Sequence, residues 1–223
     1  MTLPEFTLVD VEAGTESTAD RVYEAVRERL VMLDIRPGEP INDDRLGAEL
    51  GVGRTPVREA LKQLERDRLV IAYPRRGTFA TAVEVTDLAD ISEIRHHLEP
   101  LAAARAARVA TAESRRRLAR LAEGIGRIGD SDDRREVLRH DVRVHREIYR
   151  ASQNPHLEVV LTSLDAHATR IWCLFLDRLP DVITHVREHI ALLDAIVAGD
   201  GDTASELTRA HVIGFEQAIR ALL

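Results

Sequence analysis

The chain has 223 residues, of which 44% are hydrophobic and 31% are charged, and its formal net charge is −7. This composition is typical of a folded, water-soluble protein and argues against a disordered chain. The single cysteine, Cys173, excludes a disulfide framework, and no apolar run approaches the ~20 residues needed to cross a bilayer. The first residues have neither a basic start nor an apolar core, so we predict no secretory signal and expect a cytoplasmic protein.

The first predicted helix follows a loose arm over residues 1–16. The sequence STAD predicts its start, with Ser17 as N-cap and Asp20 in the capping-box position. Its apolar positions recur at helical spacing, at Val22, Ala25, Val26, Leu30 and Leu33. The turn RPGEP ends this helix, and a short helix is expected over roughly 43–50, stopped by Gly51.

A third helix and a β-hairpin are predicted next. Thr55 can cap the helix, with Pro56 at its first position, where the missing N–H costs nothing. Its buried face would carry Val57, Ala60, Leu61 and Leu64. The sequence LVIAYPRRGTFATAV then predicts two short strands around the turn PRRG. This order of elements predicts a winged helix-turn-helix domain over residues 17–82.

From Thr86 onward every periodic segment has the spacing of a helix. Six helices are expected, at about 86–108, 112–128 and 131–152, then from Asn154-Pro155, from Leu179-Pro180-Asp181, and near Thr203 and Glu206, which form a capping box. Short linkers between long amphipathic helices predict an antiparallel bundle over residues 86–223. The fold class is therefore mostly α: a winged helix-turn-helix with a small β-hairpin, followed by an all-α bundle.

A row of basic side chains follows the third helix. Arg54, Arg58, Lys62 and Arg66 recur every four residues. They would share the side opposite the apolar face, and the helix start is the end that enters the major groove in helix-turn-helix proteins. Arginine can bond a guanine edge through two hydrogen bonds, while Thr55 and the free N–H groups at the helix start suit phosphate oxygens. By itself, such a row is most simply a solvated basic face.

The predicted hairpin tip is basic as well. Arg75 and Arg76, beside Gly77, could reach an adjacent DNA backbone or minor groove. Residues 45–76 together carry eight basic and four acidic side chains, although the whole chain is acidic. This local excess, combined with the helical row, favours a face that binds double-stranded DNA.

The segment LGAELGVGRTPVREALKQLERDRLV, followed by PRRGTFA, resembles the N-terminal domain of the GntR family of bacterial transcription regulators. The resemblance implies DNA contacts at Arg54, Thr55, Arg58, Arg76 and Gly77. Arg45, Gly53, Lys62 and Arg75 are further candidates for DNA contacts because they lie in or beside the same basic face. Two positions depart from the family. Gly53 stands where Ser or Thr is frequent, which removes a hydroxyl group. Asp44 stands where a basic residue is frequent, with Arg45 one position later.

Three of the nine histidines fall on apolar faces of the predicted bundle helices, namely His145, His189 and His211. A buried imidazole has to be hydrogen-bonded or to ligate a metal, because an unpaired buried polar group is costly. A single inward histidine is more often a core residue. Three of them, with Asp141 one helical turn before His145, favour a divalent metal with one coordination position open. Zn²⁺ is the expected ion, with Ni²⁺ and Mn²⁺ as alternatives.

Residues 86–222 resemble the all-helical effector domain of the FadR subfamily, often called FCD. Its pattern DxxxH, then EH, then a final His corresponds to Asp141, His145, His189 and His211, and implies a bound metal. His140 and His185 are the competing candidates for ligands.

Arg95 lies on the inward face of the first bundle helix, within EIRHHLEP. One interpretation is an internal ion pair with Glu99 or with an acidic residue of a neighbouring helix. The other, which the FCD resemblance favours, is a clamp for a small organic acid, since guanidinium matches a carboxylate. Asn154, Arg170 and Trp172 are further candidates for the same cavity, although Asn154 is equally well explained as a helix N-cap.

Together these patterns predict a homodimeric, metal-containing transcription regulator, in the first instance a repressor, that binds palindromic DNA and responds to a small carboxylic acid. Two alternatives stay open. His140-Asp141 is an HD dipeptide, which evokes HD-type metal phosphohydrolases, although no general base is evident. The bundle could instead only hold the DNA-binding heads together, with its histidines as core residues.

Overall fold

The computed structural model describes residues 17–129 and 132–223, which form two compact units. The first unit contains residues 17–30 and Ile35–Thr81, and the second contains Val31–Asp34 and Ala82–Leu223. The arm expected over residues 1–16 lies outside the described residues. None of the helices in the described part of the chain combines the length and apolar character that a bilayer crossing requires.

The first unit contains three helices and a small sheet. The elements are α1 (Thr18–Val31), β1 (Pro40–Ile41), α2 (Asp43–Leu50), α3 (Arg54–Arg66), β2 (Val70–Tyr73) and β3 (Gly77–Ala80). The predicted capping box opens α1: the N–H groups of Ser17 and Asp20 each donate to the other's side chain over 3.1 Å. Leu33 does not belong to the α1 stripe, because the helix has ended and this residue has a φ of 56°.

The start of α3 differs from the prediction. Gly53, not Thr55, is the N-cap, with an extended backbone (φ −77°, ψ 172°) and no side-chain capping bond. The helix begins at Arg54, so Pro56 is the third helical residue, where its missing N–H still has no partner to lose. The prediction for α2 is confirmed, and Gly51 ends it with a left-handed φ of 65°.

The sheet has three antiparallel strands in the order β1-β3-β2. The predicted hairpin is confirmed, with Ile71 opposite Phe79 and Tyr73 opposite Gly77. The third strand was not predicted, because Pro40–Ile41 is too short to show alternation and begins at the last residue of the expected turn.

The second unit contains the six predicted helices. They are α4 (Leu88–Val109), α5 (Ala112–Gly126), α6 (Arg134–Ala151), α7 (Pro155–Phe175), α8 (Val182–Ala198) and α9 (Gly201–Arg220), and a single 3-10 turn (Val85–Asp87) precedes them. The predicted capping box of the last helix is wrong. Asp200 is its N-cap and accepts from the N–H of Thr203 over 3.0 Å, so the helix starts two residues before Thr203.

An apolar core joins these helices, and Arg115 ties three of them together at their ends. Its Nη1 donates to the carbonyls of Ile196 and Val197 over 2.7 and 2.6 Å, and its Nη2 donates to that of Ala107 over 2.7 Å. These carbonyls end α8 and α4, where backbone oxygens lack helical partners. Within this apolar interior lies an island of buried ionisable side chains.

Candidate functional site

Four ionisable side chains from three helices meet inside the second unit. Asp141 and His145 lie one turn apart on α6, His189 lies on α8 and His211 on α9. All four are buried, and one potential ligand atom of each lies within 4.8 Å of the others. These are the four residues that the spacing and the FCD resemblance singled out, and as a group they could hold a metal ion.

Hydrogen bonds at Nδ1 of two of these histidines decide which ring nitrogen carries the proton. The Nδ1–H of His189 can donate to the carbonyl of Val186 over 3.2 Å, and that of His211 to the carboxylate of Glu188 over 2.9 Å. A ring that donates from Nδ1 has an unprotonated Nε2, which is the form that binds a metal. The sequence predicted no role for Glu188, although it stands in the EH pattern directly before His189.

Burial decides the charge of the same two histidines. It lowers the pKa of both His189 and His211 well below the ordinary value, and neighbouring imidazoles lower both further. Both rings are therefore neutral near pH 7, as metal coordination requires.

The pKa of His145 is shifted in the opposite direction. Burial opposes its protonated form, but the carboxylates of Glu99 and Asp141, 3.3 and 3.8 Å away, raise the pKa to about 9. Burial raises the pKa of Asp141. The electrostatics of the cluster therefore favour a positive charge beside these carboxylates.

Two buried polar atoms of the cluster indicate whether a cation fits between these side chains. Among the described residues, neither Oδ1 of Asp141 nor Nε2 of His189 has a hydrogen-bond partner, although both atoms are buried. Buried polar atoms are normally satisfied, and an exception indicates a functional demand on the site. A carboxylate oxygen and imidazole nitrogens are the donors that Zn²⁺ and related ions accept, so the residues present fit a divalent transition metal.

Arg95 has internal partners and also faces a pocket. Its Nε donates to Glu99, its Nη2 lies 3.8 Å from Asp165, and its guanidinium lies 5.1 Å from the centre of the Phe215 ring. Burial alone would raise the pKa of Glu99, but Arg95 and His145 outweigh it and lower the pKa to about 2. The ion pair suggested by the sequence is therefore present.

The pocket beside Arg95 is small and polar. It contains no void large enough to hold a water molecule, and it is lined by Arg95, Asp141, His145, Asp165, Thr169, Trp172, His185, His211 and Phe215. One pocket thus joins the candidate metal ligands to a buried guanidinium, and a ligand would enter it only if the lining side chains moved.

The other expected effector residues have different positions. Trp172 lines the pocket, with its ring 4.5 Å from that of His185. Asn154 does not: its side chain caps α7 by accepting the N–H groups of the next two non-proline residues over 3.1 and 3.3 Å. Arg170 is buried beside the pocket-lining Thr169 but points about 100° further round the helix, and burial lowers its pKa to about 10. Neither Asn154 nor Arg170 is therefore among the residues that line this pocket.

The competing histidines also have separate positions. His185 stacks on His211 with 3.9 Å between ring centres, and its Nδ1 lies 3.3 Å from Glu188, so these three residues form a second, more exposed group of potential ligands. His140 is half-buried and belongs to neither group.

The first unit presents an exposed basic face. Arg54, Arg58, Lys62 and Arg66 are all exposed on α3, whereas Val57, Ala60, Leu61 and Leu64 on the opposite side are buried. Gly53, Thr55 and the hairpin-tip residues Arg75, Arg76 and Gly77 are exposed as well. These residues are open to solvent.

Carboxylates of α2 lie beside this basic face and accept hydrogen bonds from its arginines. The sequence did not indicate these contacts. Asp44 accepts from Nη2 of Arg54 over 2.8 Å, and Asp43 accepts from Nε of Arg58 over 3.0 Å. Arg45 donates to Glu49 over 3.0 Å. Acidic residues in the first turn of a helix also interact favourably with the helix dipole. The sequence therefore explained the carboxylates at the start of α2 without any contact to α3.

Comparison with known proteins assigns each of the two units to a known family of domains. Residues 18–80 match the bacterial regulatory proteins of the gntR family, and residues 90–214 match the FCD domain. An HTH-type transcriptional regulator in an unstable DNA locus of Streptomyces ambofaciens is 27% identical over 192 residues, covering 86% of this chain and 80% of that protein. The HTH-type transcriptional repressor RspR of Escherichia coli K12 is 21% identical over 211 residues, covering 93% and 91%. The solved structure of E. coli McbR/YncC has the same fold, with a TM-score of 0.77 at 22% identity, covering 93% of this chain and 97% of that one.

Proposed function

Because the chain belongs to the GntR family of bacterial transcription regulators and carries an FCD domain, we propose that it is a homodimeric repressor whose binding to a palindromic operator is controlled by a small carboxylic acid at a metal-containing pocket. The observation that carries this proposal is the buried cluster of one carboxylate and three imidazoles in the same pocket as Arg95. The similarity to RspR, which is named a repressor, supports the direction of control.

The exposed start of α3 is proposed to enter the major groove. Arg54 and Arg58 would contact base edges, while Thr55 and the backbone at Gly53 would contact phosphate. Further phosphate or minor-groove contacts are assigned to Arg45, Lys62, Arg75, Arg76 and Gly77.

Affinity measurements at several salt concentrations test these roles. Arg58→Ala should weaken operator binding by roughly tenfold or more and relax the preference at one base pair, whereas Lys62→Ala should weaken binding to every duplex and reduce the salt dependence by about one counterion. The exposed Arg116 of the second unit supplies the control, since Arg116→Ala should bind as the wild type does. Unchanged operator binding by Arg58→Ala would refute the assignment of the recognition helix.

The second unit is proposed to hold a divalent metal, with Zn²⁺ preferred over Ni²⁺ and Mn²⁺. The ligands would be Asp141, His145, His189 and His211. When bound, such an ion supplies a Lewis-acidic centre with a position open to a carboxylate oxygen. The unsatisfied atoms of Asp141 and His189 support this proposal, because a cation would satisfy both.

Elemental analysis tests the metal proposal. Purified protein should contain about one transition-metal ion per chain, and chelation should lower its melting temperature. His189→Ala should abolish metal binding, whereas His140→Ala, which alters a half-buried histidine outside the cluster, should retain it. A protein that takes up no metal and melts identically with and without chelator would favour a bundle that only joins the DNA-binding heads.

The effector is proposed to be a small carboxylic acid whose carboxylate meets Arg95 and the metal, with Trp172 against its body. The lining residues of the pocket, which place a guanidinium beside the candidate metal ligands, support this class of ligand. A thermal-shift screen of small mono- and dicarboxylic acids tests it: at about a hundredfold excess over Kd, a ligand stabilises by about 2.7 kcal/mol. An acid that stabilises the chelated protein as strongly as the metal-loaded protein would contradict the shared site.

We propose a homodimer because two-fold symmetric dimers are the proteins that recognise palindromic operators. Light scattering should give twice the mass of one chain. The phosphohydrolase alternative is not retained, because the family and the relatives are transcription regulators.

A further inference from the structure

The contact between Arg58 and Asp43 joins two helices of the DNA-binding unit. Arg58 lies in the first turns of α3, where its side chain is 63% exposed, and Asp43 is the first residue of α2. The Nε–H of Arg58 donates to Oδ2 of Asp43 over 3.0 Å. Within the described residues this bond uses Nε alone, so both terminal Nη groups remain available.

The neighbouring pair provides a contrast. Arg54 contacts Asp44 through both Nη2, over 2.8 Å, and Nε. Asp44 therefore engages Arg54 through two nitrogens on one side of its guanidinium, whereas Asp43 engages Arg58 through Nε alone. Two consecutive acidic residues thus engage two recognition-helix arginines in different ways.

The open edge of Arg58 matches the chemistry of guanine. The O6 and N7 atoms of guanine accept two parallel hydrogen bonds from one guanidinium in the major groove. A long exposed side chain loses conformational entropy when it is fixed for such a contact, and an existing bond at Nε removes part of that loss in advance. The hydrogen bond from Arg58 also lowers the pKa of Asp43, so the carboxylate is ionised at neutral pH.

We propose that Asp43 is a positioning residue that holds Arg58 in the orientation needed to recognise a guanine, and that it thereby contributes to operator specificity. The inference rests on the proposed DNA-binding role of α3. The negative charge of Asp43 also favours specificity, because it disfavours the use of Arg58 as a simple phosphate contact. Asp43 should therefore increase discrimination between sequences without increasing affinity for DNA in general.

The test uses the full-length protein and a duplex that the wild type selects from a random pool. Affinities are measured for this duplex, for its single-base-pair variants and for an unrelated duplex, with wild type, Arg58→Ala, Asp43→Ala and the double variant. Arg58→Ala should lose about tenfold of the preference at one G·C pair. Asp43→Ala should lose preference several-fold at that same pair and bind the unrelated duplex as tightly as the wild type or tighter. The double variant should match Arg58→Ala, because Asp43 acts through Arg58.

Asp44→Ala is the matched control, since it removes an equal charge from the same turn of α2. It should leave the preference at the G·C pair read by Arg58 intact, because Asp44 contacts Arg54 and not Arg58. If Asp43→Ala keeps the wild-type preference, or changes it as Asp44→Ala does, the inference is overturned while the DNA-binding proposal stands. If the wild type selects no sequence, the DNA-binding proposal itself fails. Should Asp43→Ala fail to fold by circular dichroism, Asp43→Ser takes its place with the same expected outcomes, because serine lacks the carboxylate that accepts from Arg58.

Discussion

The buried ion pair between Arg95 and Glu99 supports a quantitative prediction. The two side chains are only 4% and 1% exposed, so removing one leaves the other charged in the interior. Against the effect of burial, Arg95 and then His145 lower the pKa of Glu99 from 4.5 to about 2. A pKa lowered by this much corresponds to about 3 kcal/mol, which is in line with the ~3–5 kcal/mol typical for breaking a buried pair. Because the folded-state pKa is lowered, this stabilisation is present above pH 4.5 and is lost as the pH falls toward 2.

Arg95→Met should therefore lower the free energy of unfolding by about 3 kcal/mol at pH 7. Arg95→Met combined with Glu99→Leu should recover part of this loss, because neither charge of the pair is then buried without the other. Urea denaturation followed by circular dichroism measures both, with chelator present so that the variants do not differ in metal content. Arg108→Met, an exposed change on the same helix, should stay within ~0.5 kcal/mol of the wild type.

A loss below about 1 kcal/mol for Arg95→Met would refute this reasoning, as would a double variant less stable than the single one. Either result would mean that Glu99 does not depend on Arg95 in the folded protein. Arg95 would then be held for a ligand and not for the stability of the bundle.

Three further predictions concern separate parts of the chain. Burial raises the pKa of the Cys173 thiol from 9.0 to about 12, so its alkylation at pH 8 should be about a thousandfold slower in the folded protein than in urea, and equal rates would contradict this. A Cβ at Gly47 would lie 2.9 Å from a backbone oxygen, whereas one at Gly124 would meet nothing within 4 Å. Gly47→Ala should therefore destabilise the protein by roughly 1–3 kcal/mol, and Gly124→Ala should stabilise it by up to about 1 kcal/mol. Urea denaturation measures both changes. Arg115→Met should lower the free energy of unfolding by about 2 kcal/mol through lost bonds to helix ends, and the exposed Arg116→Met by less than ~0.5 kcal/mol; equal effects would show that those bonds do not stabilise the bundle.

Local patterns in the sequence determined the helices and the faces of those helices. A capping box, a terminating glycine and a period of 3.6 residues act within a few positions, so α1, α2 and the six bundle helices could be predicted to within a few residues. The same local geometry put Asp141 and His145 on one face, and put the α3 arginines opposite the apolar residues. Where several residues could cap, as at Gly53 and Thr55, the sequence could not choose between helix starts one or two residues apart.

The tertiary structure alone decided which faces meet. Periodicity says that a side chain is buried, but not which helix lies against it. It could not give the 2.9 Å contact between Glu188 and His211, or the Asp165 partner of Arg95. A single residue turns a helical position by about 100°, which is why Arg170 is excluded from a pocket that its neighbour lines. The sequence thus determined the residue types available for a metal and a DNA groove, whereas their partners depend on packing between elements that are distant in the chain.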